Sequence, residues 1–214
     1  MMRRATTAAL AGALLSACFF GKVPETKYYM LDYLPTPSPE RLQKGPYPFV
    51  LRLRDPIIAE TYRRSQIVYR QSAYQVQFYS YHLWSVDPDR MIGDLLLKHL
   101  RSARLFENVI RSTDSFTPDF QLTCDVQGIE EYDGPGGVWY AHLALEYQLI
   151  EEKAGQVLWK KLYDLRKTVS QQDPVYVVRE LSALLETAHD RLTQDLEIAL
   201  DEAKFRAAPG ASTK

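Results

Sequence analysis

The sequence lacks a strong excess of charge of either sign and lacks the residue spacings of common active sites. Its net charge at neutral pH is −1, which excludes the strongly basic character typical of nucleic-acid-binding domains. No serine lies in a Gly-x-Ser-x-Gly turn, no Gly-x-x-x-x-Gly-Lys loop is present, and no histidine has a partner at HExxH spacing. We therefore expect a protein that is not an enzyme and that binds neither a metal nor nucleic acid.

The chain also lacks a hydrophobic run long enough to span a membrane. A spanning helix needs roughly 20 apolar residues, whereas the apolar run from Ala5 to Leu15 is about half that length. It follows two arginines and precedes the small residues Ser16 and Ala17. This order is typical of a secretory signal peptide and disfavours the alternative of a transmembrane anchor. We predict that residues 1–17 are a cleaved signal peptide.

Cysteine is scarce, and one of the two cysteines stands directly after the predicted cut. The segment Leu15-Ser16-Ala17-Cys18 resembles the lipobox of bacterial lipoproteins, whose cysteine becomes the acylated first residue. The resemblance implies that a covalent lipid on Cys18 is the sole prosthetic group and holds the protein on a membrane. Phe19 replaces the aspartate that favours inner-membrane retention, which implies an outer-membrane lipoprotein facing the periplasm. Residues 18–27 are then the lipidated N-terminus and tether.

The second cysteine, Cys124, has no intramolecular partner if Cys18 carries lipid. One interpretation is that Cys124 is a reactive thiol or forms an intermolecular disulfide. However, apolar and polar residues alternate from Phe120 to Gln127, and Cys124 falls on the apolar side of this alternation. We therefore predict a buried and inert thiol on one face of a strand.

Periodicity predicts most of the strands. Expected strands cover Tyr28 to Leu34, residues 49–54, a hairpin over 66–70 and 74–82, and a short strand at 108–111. Three longer segments, 119–132, 138–151 and 156–169, are joined by short glycine-containing turns and predict an antiparallel meander. The turn at Gly134-Pro135-Gly136-Gly137 opens onto a strand, so we interpret it as a hairpin turn rather than a phosphate loop.

Two Asp-Pro pairs mark the starts of two helices, at Asp87-Pro88 and Asp173-Pro174. The second helix continues an apolar stripe for about seven turns from Val178 to Ala203. The order predicts an α+β domain over residues 28–204, with two main helices packed on a largely antiparallel or mixed sheet. We expect residues 205–214 to form a disordered tail.

Remaining side-chain clusters give weak signals for chemistry. The paired carboxylates Glu130-Glu131 and Glu151-Glu152 fall at predicted strand ends, where solvated charge is usual. The four histidines are interpreted as solvated or partly packed. By contrast, the 66–84 hairpin and its exit are rich in aromatic residues, which are enriched at protein interfaces. We predict that Tyr69, Tyr79, Tyr81 and Trp84 form a partner-contact surface. The alternative is that part of these aromatic residues packs in the core.

Three short segments recur in a familiar order. Lys27-Tyr28-Tyr29-Met30-Leu31-Asp32 follows the lipobox, Ile67-Val68-Tyr69-Arg70 comes next, and His82-Leu83-Trp84 precedes a leucine-rich helix. Together they resemble the ABC-type transport auxiliary lipoproteins, and the resemblance covers nearly the whole mature chain. The proline-rich segment 35–48 matches nothing in that pattern, so its role stays open.

The resemblance implies a non-enzymatic partner of a transporter built from an ABC ATPase, a permease and an MCE-domain protein. Such systems are linked to the movement of lipids or other hydrophobic molecules between the inner and outer membranes. The lipoprotein would dock the distal end of the MCE-domain protein, and a homo-oligomer would suit an oligomeric partner. The alternative is a structural or assembly lipoprotein of another cell-envelope machine.

Overall fold

The computed structural model describes residues 24–115 and 117–207. The predicted signal peptide and Cys18 lie outside these residues. Within them, nine strands form one mixed sheet and three helices accompany it. The strands are β1 Lys27–Tyr29, β2 Tyr47–Leu53, β3 Ile57–Ile58, β4 Gln66–Ser72, β5 Gln75–Trp84, β6 Phe106–Arg111, β7 Phe120–Asp133, β8 Trp139–Glu151 and β9 Gln156–Thr168. The helices are α1 Pro39–Lys44, α2 Pro88–Ala103 and α3 Pro174–Ala207.

The meander β7–β8–β9 is antiparallel, as the alternation predicted. Its apolar side is fully buried along β8, because every second residue from Ala141 to Leu149 faces the helices. Cys124 lies on that side of β7 and is 2% exposed. The prediction of a buried thiol is confirmed, and burial raises the pKa of Cys124 to about 12.

The other edge of β7 makes the sheet mixed. Three strands, β2, β3 and β4, pair with it in parallel, one after another along its length. β6 extends the sheet beyond β2, whereas β5 and then β1 extend it beyond β4. The predicted α+β class with a mixed sheet is confirmed. Which strands run parallel was not predicted from the residue pattern.

The two main helices cover one face of the sheet. Helix α2 buries the predicted stripe of Ile92, Leu96 and Leu100, and α3 buries Leu181, Leu185 and Leu192. Both begin at the predicted Asp-Pro pairs. Asp173 caps α3 by accepting from the amide of Val175 at 2.9 Å, whereas the Asp87 side chain makes no capping hydrogen bond to α2.

Two predictions near the N-terminus need correction. The first strand ends at Tyr29 rather than Leu34, because the chain then leaves the sheet and buries Leu31 and Tyr33 in the core. The proline-rich segment contains helix α1. Pro39 occupies its first turn, and Ser38 accepts a hydrogen bond from the amide of Arg41 at 3.1 Å.

Candidate functional site

The aromatic surface predicted on the hairpin contains residues in three different environments. Tyr69 and Tyr79 are partly buried and their rings lie 4.7 Å apart between centroids. Tyr81 is 38% exposed. Trp84 is 4% exposed and belongs to the main core. The prediction that Trp84 lies on a contact surface was therefore wrong, because its side chain packs within the hydrophobic core.

A histidine joins this aromatic group. The His82 ring lies 5.1 Å from the Tyr79 ring and 5.6 Å from the Tyr29 ring between centroids. Its Nδ1 atom also lies 2.7 Å from the Tyr29 hydroxyl. Burial lowers the pKa of His82, and the nearby Lys27 lowers it further. The pairing of β1 with β5 thus brings Tyr29 and His82 against Tyr79 and Tyr69. The term aromatic surface is used here for these four residues together with Tyr81, the exposed tyrosine of the same strand.

Glu131 lies beneath this aromatic surface, on the helix side of the sheet. It is 1% exposed, and the Tyr79 hydroxyl donates to its two carboxylate oxygens at 3.2 and 3.0 Å. Burial raises the pKa of Glu131 to about 7. The expectation that Glu130-Glu131 is solvated at a strand end was wrong for both residues.

Glu130 faces the opposite side of the sheet and is held by three donors. Tyr62 Oη donates to it at 2.7 Å, Arg70 Nε at 2.8 Å, and His142 Nδ1 lies 3.0 Å away. His142 Nε2 lies 2.9 Å from Asp164 on β9. Burial alone would raise the pKa of Glu130, but the hydrogen bonds from these partners outweigh burial and lower it. The arrangement ties β4, β7, β8 and β9 together.

A β-bulge decides which of the two adjacent glutamates faces the helices. The β7–β8 register shifts between Val126 and Gly128, so that Gln127 is an extra residue. Without the bulge, alternation from Cys124 would place Gly128 and Glu130 on the helix side of the sheet. The shift places Ile129 and Glu131 there instead. Sequence reasoning missed both glutamates, since a bulge leaves the residue types around it unchanged.

A second polar network lies between the helices and the sheet. The Tyr33 hydroxyl lies 3.2 Å from His99 Nδ1 and 2.5 Å from His189 Nδ1. His189 Nε2 lies 2.9 Å from the Tyr147 hydroxyl on β8. Burial lowers the pKa of His99 to about 4 and lowers that of His189 well below its usual value. Both histidines are therefore neutral at physiological pH, and they fasten α2 and α3 to the sheet.

The proline-rich segment closes a cleft of about 260 Å³ against α2 and α3. Arg41 of α1 is 6% exposed there and donates to Glu197 of α3 at 3.0 Å. His99 and Asp190 line the helix side of the cleft. The segment whose role the sequence left open thus covers the crossing of the two main helices.

The described part of the chain holds no group of three or more side chains suited to a metal ion. Nor does any helix within residues 24–115 and 117–207 have the length and apolar character needed to cross a membrane. The arrangement of the aromatic surface suits contact with another molecule, and its hydroxyl and carboxylate groups are engaged with one another rather than aligned around a reacting centre.

Comparison with solved structures identifies the fold. A crystal structure of a Xanthomonas campestris protein from a domain family of unknown function has a TM-score of 0.75 and 18% identity, over 84% of this chain and 99% of that one. A second, uncharacterised protein has a TM-score of 0.63 and 15% identity, over 81% of this chain and 99% of its own. At these identities the likeness shows a shared fold.

No curated protein sequence matches the chain. The family model of the ABC-type transport auxiliary lipoprotein component matches residues 29–193. That range includes all of the sheet beyond β1 and most of α3. It contains two of the three segments that carried the resemblance, and the last four residues, Tyr29 to Asp32, of the first. Because the match spans well over half of the sequence, the chain belongs to the family of ABC-type transport auxiliary lipoprotein components.

Proposed function

We propose that this protein is a non-enzymatic lipoprotein that docks the MCE-domain subunit of an ABC transport system at the outer membrane. The system would move lipids or other hydrophobic molecules between the two membranes, with ATP hydrolysed by another subunit. The observation that carries the proposal is the family match over residues 29–193, with the lipobox-like segment that ends at Cys18 lying upstream of it.

The chemistry of the described residues supports a docking role. The paired carboxylates Glu130 and Glu131 are engaged in structural contacts, Glu130 with Arg70 and Glu131 with Tyr79. Both faces of the sheet are held by polar networks, so the domain is suited to present a rigid surface. A rigid domain that is held by lipid fixes the place at which a partner binds. A subunit at the end of a transport path must supply such a fixed place.

We assign the contact to the aromatic surface, with Tyr81 as the side chain most available to a partner. Tyr69 and Tyr79 belong to the same hairpin, their rings contact each other, and Tyr79 is fixed by Glu131. Aromatic residues that are rigidly held and partly exposed are favoured at interfaces because little conformational entropy is lost on binding.

Co-purification tests the proposal. Tagged wild-type protein, solubilised from membranes, should retain the MCE-domain protein encoded beside the ATPase and permease. Tyr81→Ser should weaken this retention at least several-fold. The matched control is Leu162→Ser, which removes a side chain of similar exposure, 46%, from the opposite edge strand β9 and should leave retention unchanged.

Two outcomes would count against the proposal. If Tyr81→Ser and Leu162→Ser reduce the retention of the MCE-domain protein equally, the assignment of the contact to the aromatic surface is refuted. Wild-type protein that retains no MCE-domain subunit, and instead retains components of a secretion or pilus machine, would favour a structural or assembly lipoprotein.

A further inference from the structure

The sheet has two ends that differ in chemistry. One, here called the hairpin end, contains the β4–β5 turn at Ala73 and Tyr74, the β7–β8 loop 134–138 and the residues 169–173 that precede α3. They lie together because β4 runs parallel to β7, and because Asp133 pairs with Trp139 where β7 meets β8. The other, the far end, contains the β8–β9 turn, since Phe120 pairs with Glu151 at the opposite limit of β7.

The loops of the hairpin end are almost free of charge. Residues 71–75, 134–138 and 169–172 contain no aspartate, glutamate, lysine or arginine, and Asp173, which caps α3, is the one charged residue of these loops. Tyr74, at the tip of the β4–β5 turn, is 97% exposed, the highest value among the exposed apolar side chains. The turn at the far end, by contrast, begins Glu151-Glu152-Lys153. Helix α1, which contains Glu40 and Lys44, also lies toward the far end. Its Lys44 side chain contacts Glu197 of α3.

The direction of β1 points the N-terminal chain toward the hairpin end. β1 is parallel to β5, with Lys27 paired to His82 and Tyr29 to Trp84. β5 itself starts at the hairpin end and runs away from it. A chain traced backwards from Lys27 therefore heads along β5 toward Tyr74.

The length of the tether fits this direction. Lys27 lies nine positions after Cys18 in the chain, and nine extended residue steps span at most about 32 Å. Along β5, Gln75 lies seven positions before His82. This separation corresponds to roughly 23 Å. The chain between Lys27 and Cys18 is therefore long enough to place Cys18 at the level of the Tyr74 turn.

We propose that the hairpin end is the surface of this domain that rests on the lipid bilayer, with Tyr74 in the headgroup layer. The proposal rests on the lipid anchor at Cys18 that forms part of the proposed function. Tyrosine suits this layer because its ring is apolar and its hydroxyl is polar. Uncharged loops suit it because they approach headgroups without losing the hydration of a charge. The anchor supplies the attachment, and the hairpin end supplies a fixed orientation.

Fluorescence energy transfer on the lipidated full chain tests the orientation. Acylation consumes the Cys18 thiol and Cys124 is 2% exposed, so one introduced cysteine carries the dye. Ala73→Cys labels the hairpin end, and Ala154→Cys is its matched control, because both alanines are exposed residues of β-turns at opposite ends of the sheet. The labelled proteins are reconstituted in vesicles of phosphatidylethanolamine and phosphatidylglycerol that contain an acceptor dye on the headgroup.

We expect transfer from position 73 to exceed transfer from position 154 several-fold. The 14 residues of β7 separate the two ends, which corresponds to roughly 45 Å. Tyr74→Asp on the Ala73→Cys background should lower the transfer. Tyr28→Asp, a change at a tyrosine that is 67% exposed but lies outside the hairpin end, should not.

Equal transfer from the two positions, or greater transfer from position 154, would overturn the orientation while leaving the anchor intact. Unchanged transfer in Tyr74→Asp would overturn the contact through Tyr74. Loss of the protein from vesicles is a separate readout, because it would contradict lipidation at Cys18 and therefore the proposed function itself.

Discussion

Glu130 and Glu131 are neighbours in sequence but have opposite electrostatic environments. Glu130 receives hydrogen bonds from an arginine, a tyrosine and a histidine, which stabilise its charged form. Glu131 is buried beside Tyr79, and burial favours its protonated form. The pKa of Glu130 is therefore lowered and that of Glu131 is raised to about 7.

This difference gives a pH-dependent prediction for Glu131→Gln. A carboxyl whose pKa is raised from 4.5 to about 7 on folding stabilises the fold below 4.5, and this stabilisation is lost as the pH rises to 7. Glutamine stays neutral at all pH values and can still accept from Tyr79. Above neutral pH, we expect the variant to be more stable than the wild type by about 2 to 3 kcal/mol. Urea unfolding at several pH values measures the difference.

Glu130→Gln is the matched control, and its effect should have the opposite sign. The lowered pKa of Glu130 means that its charge stabilises the fold above the usual carboxyl pKa, and that this stabilisation is lost as the pH falls. The variant should therefore be less stable than the wild type above neutral pH. Equal pH dependence in the two variants would contradict the environments described for these residues.

At the scale of elements, the two main helices start with the same dipeptide but are capped differently. The Asp173 side chain accepts from the amide of Val175, two residues on. The Asp87 side chain makes no such bond, although Pro88 occupies the first helical position as predicted. The Asp-Pro signal thus locates a helix start, and the local backbone decides whether the aspartate caps it.

We expect Asp173→Ala to lower the free energy of unfolding by about 1 kcal/mol, the usual contribution of a side-chain N-cap. Asp87→Ala should change it much less, because no capping hydrogen bond is removed. Thermal or urea unfolding of the two alanine variants, compared at one pH, measures both effects. A larger loss in Asp87→Ala than in Asp173→Ala would refute this account of the caps.

At the scale of the whole molecule, the short chain between Cys18 and β1 limits how far the domain can lie from the membrane. If Cys18 carries the lipid, the domain stays within a few tens of ångströms of the membrane, since nine residues cannot reach beyond about 32 Å. Any partner must then be met at the membrane surface. The folded domain and the anchor therefore act as one unit.

We predict that Cys18→Ala leaves the precursor uncut and removes the protein from the membrane, since several acyl chains supply the binding free energy. Membrane fractionation, with gel mobility as a readout of cleavage, measures both effects. The matched control is Cys124→Ala, which changes the chain's other cysteine at a buried site and should leave processing and location intact. A Cys18→Ala protein that is processed and membrane-bound would contradict the lipoprotein assignment.

Much of the fold follows from local sequence patterns. Period-two alternation predicted the meander β7–β9 and the hairpin β4–β5, and the Asp-Pro pairs with their apolar stripes predicted α2 and α3. The residues that form these elements are close in sequence, so their periodicity and turn chemistry are visible without the partner strands. The resemblance that led to the family likewise depends on short local segments.

By itself, the sequence determined the class of the domain, the course of its main helices and hairpins, the burial of Cys124 and the family. Only the tertiary structure decided the parallel pairing of β7, the burial of Trp84 in the core, which of Glu130 and Glu131 faces the helices, and the direction in which β1 runs beside β5. The physical reason is that pairing between distant strands, and the register shift at a bulge, depend on contacts across the whole chain. Residue types within a single segment do not record those contacts.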